Sequence, residues 1–499
     1  MEHSRRVIVI GTGPCGAAAA AELHRGGIEV VVLEAGAPDS ANGLVMRAAG
    51  LTIARLHRSL APAQRNTGAG ITGPAWFTEL SAGGLSNHWT CAVPRFDPQD
   101  FHEGERLGER YRWPISYEDL AEHYPRMERV LSIAGPGEDV PWMPGGVVSH
   151  KVPLASDWKA VEVQARARGH GVASLPMSYG EGWTFTRSGS PFNSFVRLLG
   201  RIPRTPRFQV FFGARALRLE WSGAQRRVTH VVYRDAKTGT EHRLAASAVV
   251  VGAGALHSTR LLLESTSADY PQGLGNTEGV LGRYLHDHPL GKVALELSRP
   301  LSIHPAVCLT RGPYDSAPPL RASQGVLWGG TFPRIRSWVS RTPGRSLQVG
   351  FNFFGTLPPE EKHGVRLAPD RRDADGVAGL DLSIDFDAQT QVLLEGTRDR
   401  LLEILDAAGH RAAVKFWTIS EIGASVHYGG TVRMHASPRY GMLDAWNRLH
   451  AVPNVLVVDS SAFTTGPEKN PTLTAMALAS RAAERLAKDL RSEAAGASG

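Results

Sequence analysis

The first thirty-four residues carry the pattern that most restricts the fold of this chain. Residues 6–10 read RVIVI, residues 11–16 read GTGPCG, and an alanine-rich stretch then leads to a second apolar run that ends in Glu34. Two β-branched runs on either side of a glycine turn and an alanine-rich segment predict strand, turn, helix and strand. A unit of this kind binds the pyrophosphate of a dinucleotide at the N-terminus of its helix.

The glycines and the acid of this unit have separate roles. Gly11 permits a tight turn, Gly13 lets the backbone approach a pyrophosphate, and Gly16 lets the helix pack closely on the strand. Glu34 is placed to accept hydrogen bonds from the ribose hydroxyls of an adenosine, and its charge disfavours a 2′-phosphate. The glycine pattern alone is weak, because a chain with 54 glycines gives about 0.6 chance matches. A second match, GAGITG at 68–73, follows no strand and is discarded.

Length and composition indicate a globular protein of two or three domains. The chain has 499 residues, of which 42% are hydrophobic and 21% charged, and it contains no apolar run of eighteen residues. Its first residues do not have the pattern of a secretory signal, so we expect none. Its net charge of +7 comes from dispersed arginines, so we expect no nucleic-acid or membrane partner. Cys15, Cys91 and Cys308 have no metal-binding spacing. We therefore expect a cytoplasmic protein without a metal site.

Three segments near the C-terminus have the composition of a ligand site. They are SVHYGGTVRMH at 425–435, NVLVVDSSAF at 454–463 and NPTLTAMALASRAAERLAKDL at 470–490. The second predicts a buried parallel strand that ends in Asp459. The third predicts a helix, since Asn470 suits the N-cap and Pro471 the first helical position. A strand followed by a helix N-terminus that faces a ligand is typical of a cofactor site.

Together with the N-terminal unit, these segments resemble the glucose–methanol–choline (GMC) family of flavin oxidoreductases. Further resemblance lies in GGLSNHW at 83–89, WPISYEDLAEHY at 113–124, VVVGAGALHSTRLLLES at 249–265 and LGRYLHDHP at 281–289. The resemblance implies an α/β fold. A Rossmann-like FAD-binding domain would take residues 1–100, 203–290 and 440–499. A substrate-binding α+β domain on a mostly antiparallel sheet would take residues 101–202 and 291–439.

Within the family, HWTC at 88–91 is most similar to pyranose oxidases. Those enzymes oxidise a ring hydroxyl of a sugar to a ketone and pass the electrons to dioxygen or a quinone. The resemblance implies that His88 contacts the flavin, with or without a covalent bond to its 8α-methyl carbon, and that Thr90 lies near flavin N5. The residues expected to bind FAD are Gly11, Thr12, Gly13, Pro14, Gly16, Glu34, Gly83, Gly84, Asn87, His88, Trp89, Thr90, Ala216, Ala253, Asp459 and Thr472.

The resemblance also implies the catalytic pair. Oxidation of a carbinol needs a base about 3 Å from the hydroxyl, and histidine fits because its unperturbed pKa is near neutral. The family places this histidine in H-x-x-G-T, which is His427 here. Its partner beside the C-terminal helix is Asn470, expected to orient the substrate oxygen, with helix capping as the alternative. The N-terminus of the helix is expected to stabilise negative charge near flavin N1.

Other features favour structural roles. We expect His435 to be structural, and His286 and His288 to belong to a fixed segment with Asp287 as a local partner. Cys91 is expected to be packed. FTRSGSPFN at 185–193 and RGPYDSAPPLRASQG at 311–325 are candidate lids, and the tail SEAAGASG is expected to be disordered. Six tryptophans of the second domain suit core packing or sugar stacking: Trp142, Trp158, Trp183, Trp328, Trp338 and Trp417.

The sequence therefore predicts FAD-dependent oxidation of a secondary ring hydroxyl of a sugar or glycoside to a ketone. A small polyol, sugar or glycoside would be the substrate, and dioxygen or a quinone-like compound would accept the electrons. A GMC oxidoreductase of a non-sugar alcohol or of an aminoglycoside intermediate is the alternative. A flavoprotein that binds FAD without turnover is a further alternative.

Overall fold

The computed structural model describes residues 6–36, 64–66, 76–137, 140, 143–178, 192–302, 307–311, 327–330, 345–386 and 388–496. The strands are β1 Arg6–Ile10, β2 Glu29–Glu34, β3 Gln64–Asn66, β4 Ala134–Gly135, β5 His150–Lys151, β6 His170–Ser174, β7 Phe208–Phe212, β8 Ala214–Ser222, β9 Arg227–Asp235, β10 Glu241–Ala245, β11 Ala248–Val251, β12 Leu290–Ser302, β13 Val307–Arg311, β14 Leu327–Gly330, β15 Arg345–Phe354, β16 Gly364–Arg372, β17 Ala378–Ser383, β18 Ala412–Ile419 and β19 Val455–Val457. The α-helices are α1 Pro14–Arg25, α2 His123–Leu131, α3 Ser156–Arg166, α4 Ala255–Glu264, α5 Ala388–Ala407 and α6 Thr472–Gly496.

A five-stranded parallel sheet forms the centre of the nucleotide-binding part. Its strand order is β19-β11-β1-β2-β7, and all four pairings are parallel. The valines of β1, β2 and β11 are buried, because helices such as α1 and α6 cover the faces of such a sheet. The predicted Rossmann-like unit, including its glycine turn and alanine-rich helix, is confirmed.

Close backbone contacts explain two of its glycines. Gly11 has a φ of +94°, and a Cβ atom there would lie 2.6 Å from the carbonyl oxygen of Gly252. A Cβ atom at Gly16 would clash with the carbonyl oxygen of Gly11. The first turn of α1 therefore packs directly on the ends of β1 and β11, as the roles predicted for these glycines require.

A second, six-stranded sheet has the order β18-β12-β15-β14-β13-β6, and all of its pairings are antiparallel. Helices α3 and α5 cover one face and share a buried apolar cluster with it. The predicted antiparallel sheet is thus confirmed. The residues AKTGT at 236–240 form the turn of a separate hairpin, in which β9 and β10 pair antiparallel.

The segment 492–496 continues α6 instead of being disordered, because its serine, glutamate and alanines do not break a helix already formed. The parallel sheet collects strands from residues 6–34, 208–212, 248–251 and 455–457, while the exact domain limits stay a prediction.

Within the described ranges, no helix is both long and apolar enough to cross a bilayer. The centres of both predicted lids lie outside the described residues.

Candidate active site

One cavity of about 620 Å³ joins the two halves of the fold. We call the first group of its lining residues the nucleotide part: Gly11, Thr12, Gly13, Pro14, Glu34, Gly84, Ala216, Ala253 and Asp459. We call the second group the catalytic part: His88, Trp89, Thr90, Leu290, Lys292, Asn352, Phe354, His427, Asn470 and Thr472. The parallel sheet and its loops supply most of the first group. The antiparallel sheet, the 425–428 segment and the N-terminus of α6 supply much of the second.

Glu34 organises the nucleotide part from the end of β2. Its carboxylate accepts from the Thr12 N–H at 3.0 Å, from the Thr12 hydroxyl at 2.5 Å and from the Gly36 N–H at 2.8 Å. Burial raises the pKa of this carboxyl group. The Thr12 hydroxyl in turn accepts from the Gly83 N–H at 2.9 Å. Glu34 therefore fixes the glycine turn and, through Thr12, joins it to the 83–88 loop.

The geometry beside the glycine turn fits the diphosphate of FAD. A Cβ atom at Gly13 would meet no atom within 4 Å, so the backbone is open to the cavity at the N-terminus of α1. Asp459 holds the opposite loop by accepting from the Gly254 N–H at 3.1 Å and from the Ser258 hydroxyl. Free N–H groups at a helix start suit an anion. These residues can therefore hold the diphosphate between two loops.

Replacing Gly13 with alanine separates cofactor binding from folding. Since the new methyl group enters open cavity, the free energy of unfolding of the apoprotein should change by less than about 0.5 kcal/mol. FAD affinity should fall at least about tenfold, because the methyl group lies where a diphosphate must approach. Fluorescence titration with FAD and urea unfolding measure the two effects. Gly145→Ala, also in open space, is the control, and unchanged FAD affinity in Gly13→Ala would contradict this assignment.

Three residues predicted to bind the cofactor lie behind the lining loops. Gly16 packs within the β–α–β unit, and Gly83 contacts the Asn193 side chain. The Asn87 amide donates to Ser81, Ala82 and Gly84 oxygens at 2.9–3.1 Å and accepts from Asn193 at 2.7 Å. The structure thus places Asn87 as an internal brace of the 83–88 loop, not on the cavity surface.

The same loop carries His88, Trp89 and Thr90 to the catalytic part of the cavity. His88 Nε2 lies 2.8 Å from a carboxylate oxygen of Glu79, and both side chains are almost buried. The indole N–H of Trp89 donates to the carbonyl of Phe192 at 3.0 Å. Cys91, which follows, is buried with a φ of +68°. Its expected packing role fits this burial.

His427 and Asn470, 43 positions apart in sequence, meet at the cavity. The Asn470 amide nitrogen lies 3.1 Å from His427 Nε2. Asn470 is 5% exposed, and among the described residues its side-chain oxygen has no hydrogen-bond partner. The side chain therefore does not cap α6, so the capping alternative is wrong. The pair presents an imidazole, an amide N–H and an open amide oxygen at one point of the cavity.

His288, expected to be only structural, fixes the protonation of His427. The two Nδ1 atoms lie 3.2 Å apart, and burial keeps the pKa of His288 far below its usual range. The Asn470 amide nitrogen can only donate, so His427 Nε2 accepts and the proton of the neutral His427 ring lies on Nδ1. His427 Nδ1 therefore donates to His288 Nδ1. The lone pair of His427 Nε2 is directed at Asn470.

Asp287 positions the backbone before His427, in addition to its expected role as a local partner of the neighbouring histidines. Its carboxylate accepts from the Gly423 N–H at 3.0 Å, from the His427 N–H at 2.9 Å and from the Ser425 hydroxyl. Burial raises its pKa to about 6. Val426, between these anchors, has a φ of +60°, an unfavourable value for a β-branched residue. The carboxylate thus holds a strained turn that presents the imidazole.

The two glycines of HYGGT make room for His286. A Cβ atom at Gly429 would clash with His286 Nε2, and one at Gly430 would lie 2.7 Å from its Nδ1. The backbones of His286 and Gly429 also exchange hydrogen bonds at 3.0 and 3.1 Å. The segments HDH and HYGGT therefore interlock, because the His286 ring occupies the space that side chains at Gly429 and Gly430 would fill.

Comparison with known proteins agrees with this geometry. A model described as GMC oxidoreductase matches residues 371–479, and one described as FAD binding domain matches residues 4–56. The chain is thus similar to GMC oxidoreductases toward its C-terminus and to FAD-binding domains at its N-terminus. It is an FAD-dependent enzyme that acts on a CH–OH group.

Several relatives align with nearly the whole length of this chain. A 2-methyl-1,2-propanediol dehydrogenase of Mycolicibacterium austroafricanum is 27% identical and covers 97% of this chain and 95% of its own. A 6‴-hydroxyparomomycin C oxidase of Streptomyces lividus is 28% identical, with coverages of 98% and 92%. The crystal structure of a pyridoxine 4-oxidase from Mesorbium loti shares the fold, with a TM-score of 0.61, 20% identity and coverages of 97% and 99%.

The expected similarity to pyranose oxidases is weaker than these matches. A pyranose 2-oxidase of Tricholoma matsutake is 20% identical and covers 84% of this chain and 74% of its own. HWTC therefore does not by itself identify the substrate. His435, which hydrogen-bonds to the Glu109 carbonyl at 2.9 Å, is structural as expected. The described part of the chain has no group of three or more His, Cys, Asp or Glu arranged to hold a metal.

The pH dependence of this enzyme should reflect the burial of its imidazole. His427 is half-buried at the edge of the cavity, and loss of solvation lowers its pKa to about 3. A lowered pKa favours the unprotonated form, so the base is retained on acidification. The limiting rate of flavin reduction should change less than about twofold from pH 8 to pH 5.5. An unperturbed histidine would lose about tenfold by pH 5.5, and such a loss in anaerobic stopped-flow traces would contradict this expectation.

Proposed function

We propose that this enzyme oxidises a secondary ring hydroxyl of a sugar or glycoside to a ketone, with His427 as the base and Asn470 as its partner. The observation that carries the proposal is the 3.1 Å contact between the Asn470 amide and His427 Nε2 on the wall of the cavity. Dioxygen or a quinone-like compound is the proposed electron acceptor.

The two side chains have complementary tasks in this reaction. A substrate hydroxyl that enters between them replaces their mutual hydrogen bond. Its proton passes to the lone pair of His427 Nε2, while the Asn470 amide donates to the substrate oxygen as the C–O bond becomes C=O. FAD, when bound, supplies the acceptor for the hydride that leaves the carbinol carbon. The N-terminus of α6, beginning at Thr472 beside Asn470, favours negative charge on a group bound there.

The lining of the catalytic part supports a hydroxyl-rich substrate. Thr90, Lys292 and Asn352 place polar groups on the wall, and Phe77 and Phe354 place aromatic rings there. Polar groups bind hydroxyls, and aromatic rings pack against the apolar face of a sugar ring.

Tryptophan stacking receives less support than phenylalanine packing. Trp158 is buried in the core below the antiparallel sheet and donates to the Ser302 carbonyl at 2.9 Å. Trp417 packs on the edge of the same core. The side chains of Trp142, Trp183, Trp328 and Trp338 lie outside the described residues.

The experiment that tests the proposal is an anaerobic flavin-reduction panel. The holoenzyme is mixed with D-glucose, phenyl β-D-glucoside, paromamine, 2-methyl-1,2-propanediol and benzyl alcohol, and absorbance near 450 nm is followed. The sugar and the glucoside should reduce the flavin fastest. Reduction by the diol or by benzyl alcohol, with sugars and glucoside inert, would refute the sugar assignment. Reoxidation by air and by benzoquinone then identifies the acceptor.

We further propose that FAD contacts His88 without a covalent bond. The Nε2 atom of His88 is held at 2.8 Å by the Glu79 carboxylate, which competes with bond formation at that nitrogen. After acid precipitation, the yellow colour should appear in the supernatant. A yellow pellet that loses its colour in His88→Ala would instead establish a covalent link.

A further inference from the structure

Lys292 lies on the wall of the antiparallel sheet that faces the catalytic part of the cavity. In the sheet it stands directly opposite Asn352 of β15 and Thr418 of β18. The next pair on the same face is Leu290 and Phe354, because side chains two residues apart share a face. Lys292 and Asn352 are thus neighbours on one surface, with Leu290 and Phe354 beside them.

The position of this pair relative to the base follows from the strand geometry. The Phe354 ring centroid lies 5.1 Å from that of His427, so the Leu290–Phe354 pair is level with the imidazole. Two residues along an antiparallel strand advance about 7 Å. Lys292 and Asn352 therefore lie roughly one sugar ring farther along the cavity wall from the point of oxidation.

The charge of Lys292 is uncompensated within the described part of the chain. The lysine is half-buried and has no ion pair or hydrogen bond there, whereas Lys415 on the adjacent strand is paired with Glu296 at 2.5 Å. Of the four carboxylates lining the cavity, Glu79 is paired with His88 and Glu264 with Arg372. The other two, Glu34 and Asp459, accept hydrogen bonds from their own loops. A half-buried ammonium group without a partner indicates a ligand that supplies the counter-charge.

We propose that Lys292 and Asn352 form a subsite for one carboxylate of the substrate. The proposal rests on the proposed function and deepens it: the substrate is a sugar acid or a glycoside that carries a single negative charge away from the oxidised carbon. One ammonium group and one carboxamide match a monoanion in charge and in donors. The same ammonium group repels polycationic aminoglycosides.

Matched substrate pairs test the subsite. The pairs are D-glucuronate with D-glucose, and 4-carboxyphenyl β-D-glucoside with phenyl β-D-glucoside, so that the carboxylate lies either on the ring or on the aglycone. Anaerobic stopped-flow reduction of the holoenzyme gives a second-order rate constant for each compound. The anionic member of at least one pair should react about tenfold faster or more, since a charge-assisted hydrogen bond contributes that much. This preference should weaken as the salt concentration rises.

Variants of the lysine locate the effect. Lys292→Met keeps a long apolar stem and should lower the preference for the anion about tenfold, mainly through weaker binding, whereas Lys292→Arg should retain the preference. Lys415→Met is the matched control and should leave the preference unchanged. Equal rates within both wild-type pairs would overturn the proposal. A Lys292→Met variant that slows every substrate equally and shifts the flavin reduction potential would also overturn it, because the lysine would then serve the cofactor.

The two proposals fail in different ways. If D-glucose or phenyl β-D-glucoside reduces the flavin but neither carboxylate is preferred, only the subsite is wrong. If none of the four compounds reduces the flavin while an apolar alcohol does, the proposed function itself is wrong.

Discussion

The variant His427→Ala should reduce its flavin at least about a hundredfold more slowly than the wild type, because a positioned base contributes 10²–10⁴-fold. Because His288 contacts His427 through Nδ1, the lone pair of His427 Nε2 stays available to the substrate. Among the described residues, only Asn470 hydrogen-bonds to that atom. Alanine removes the lone pair and leaves the nucleotide part of the cavity intact. FAD should therefore remain bound.

Anaerobic stopped-flow at 450 nm measures the rate, and the ratio of flavin to protein absorbance measures FAD content. His102→Ala is the control, because His102 is an exposed histidine that does not line the cavity. A His427→Ala enzyme with wild-type rates would remove His427 as the base. If His427→Ala is slow but has also lost FAD, the expected result is not met. The measurement is then repeated with His427→Gln, which keeps a hydrogen-bonding group.

Gly430→Ala should lower the free energy of unfolding by about 3 kcal/mol. The residue has a φ of +87°, and a Cβ atom would clash with the carbonyl oxygen of Tyr284 and lie 2.7 Å from His286 Nδ1. Left-handed backbone costs an L-residue about 1–2 kcal/mol, and forced overpacking adds about 1–3 kcal/mol. The clash would also separate the HDH and HYGGT segments. Flavin reduction should slow as well, since Asp287 would no longer hold the His427 backbone in register.

Urea unfolding of the apoprotein measures this loss, and Gly396→Ala is its control. Gly396 lies inside α5, and a Cβ atom there meets nothing within 4 Å. Alanine at this site should raise stability by about 0.5–1 kcal/mol. If Gly430→Ala were as stable as the wild type, the interlock of the two segments would not exist as described.

The sequence was sufficient to predict those parts of the structure that depend on residues close together in the chain. The strand, turn and helix at the N-terminus follow from glycine spacing and β-branched runs, so Gly11 and Glu34 could be interpreted from the sequence alone. The meeting of His427 and Asn470 could not be derived locally and depended on family resemblance. Asn87 shows the limit of that approach, since a residue that braces a loop and one that contacts a ligand look alike in a sequence.

The residues that were missed act across long sequence separations. His288 contacts His427 over 139 positions, and Asp287 bonds the Gly423–His427 turn. The only sequence signal for these contacts was the alternation of His and Asp in HDH before a long apolar strand, because alternate residues of an extended segment share a face. Lys292 was equally hidden, because a lysine within KVALEL looks like the solvated side of a strand.

The most direct test of the whole account is a crystal structure of the FAD complex. In that structure the ribose hydroxyls should lie at Glu34, the diphosphate beside Gly13, and the flavin ring in contact with His427, Asn470 and the first turn of α6. A flavin ring bound away from His427 and Asn470 would contradict the catalytic assignment, even if the adenosine lay as predicted.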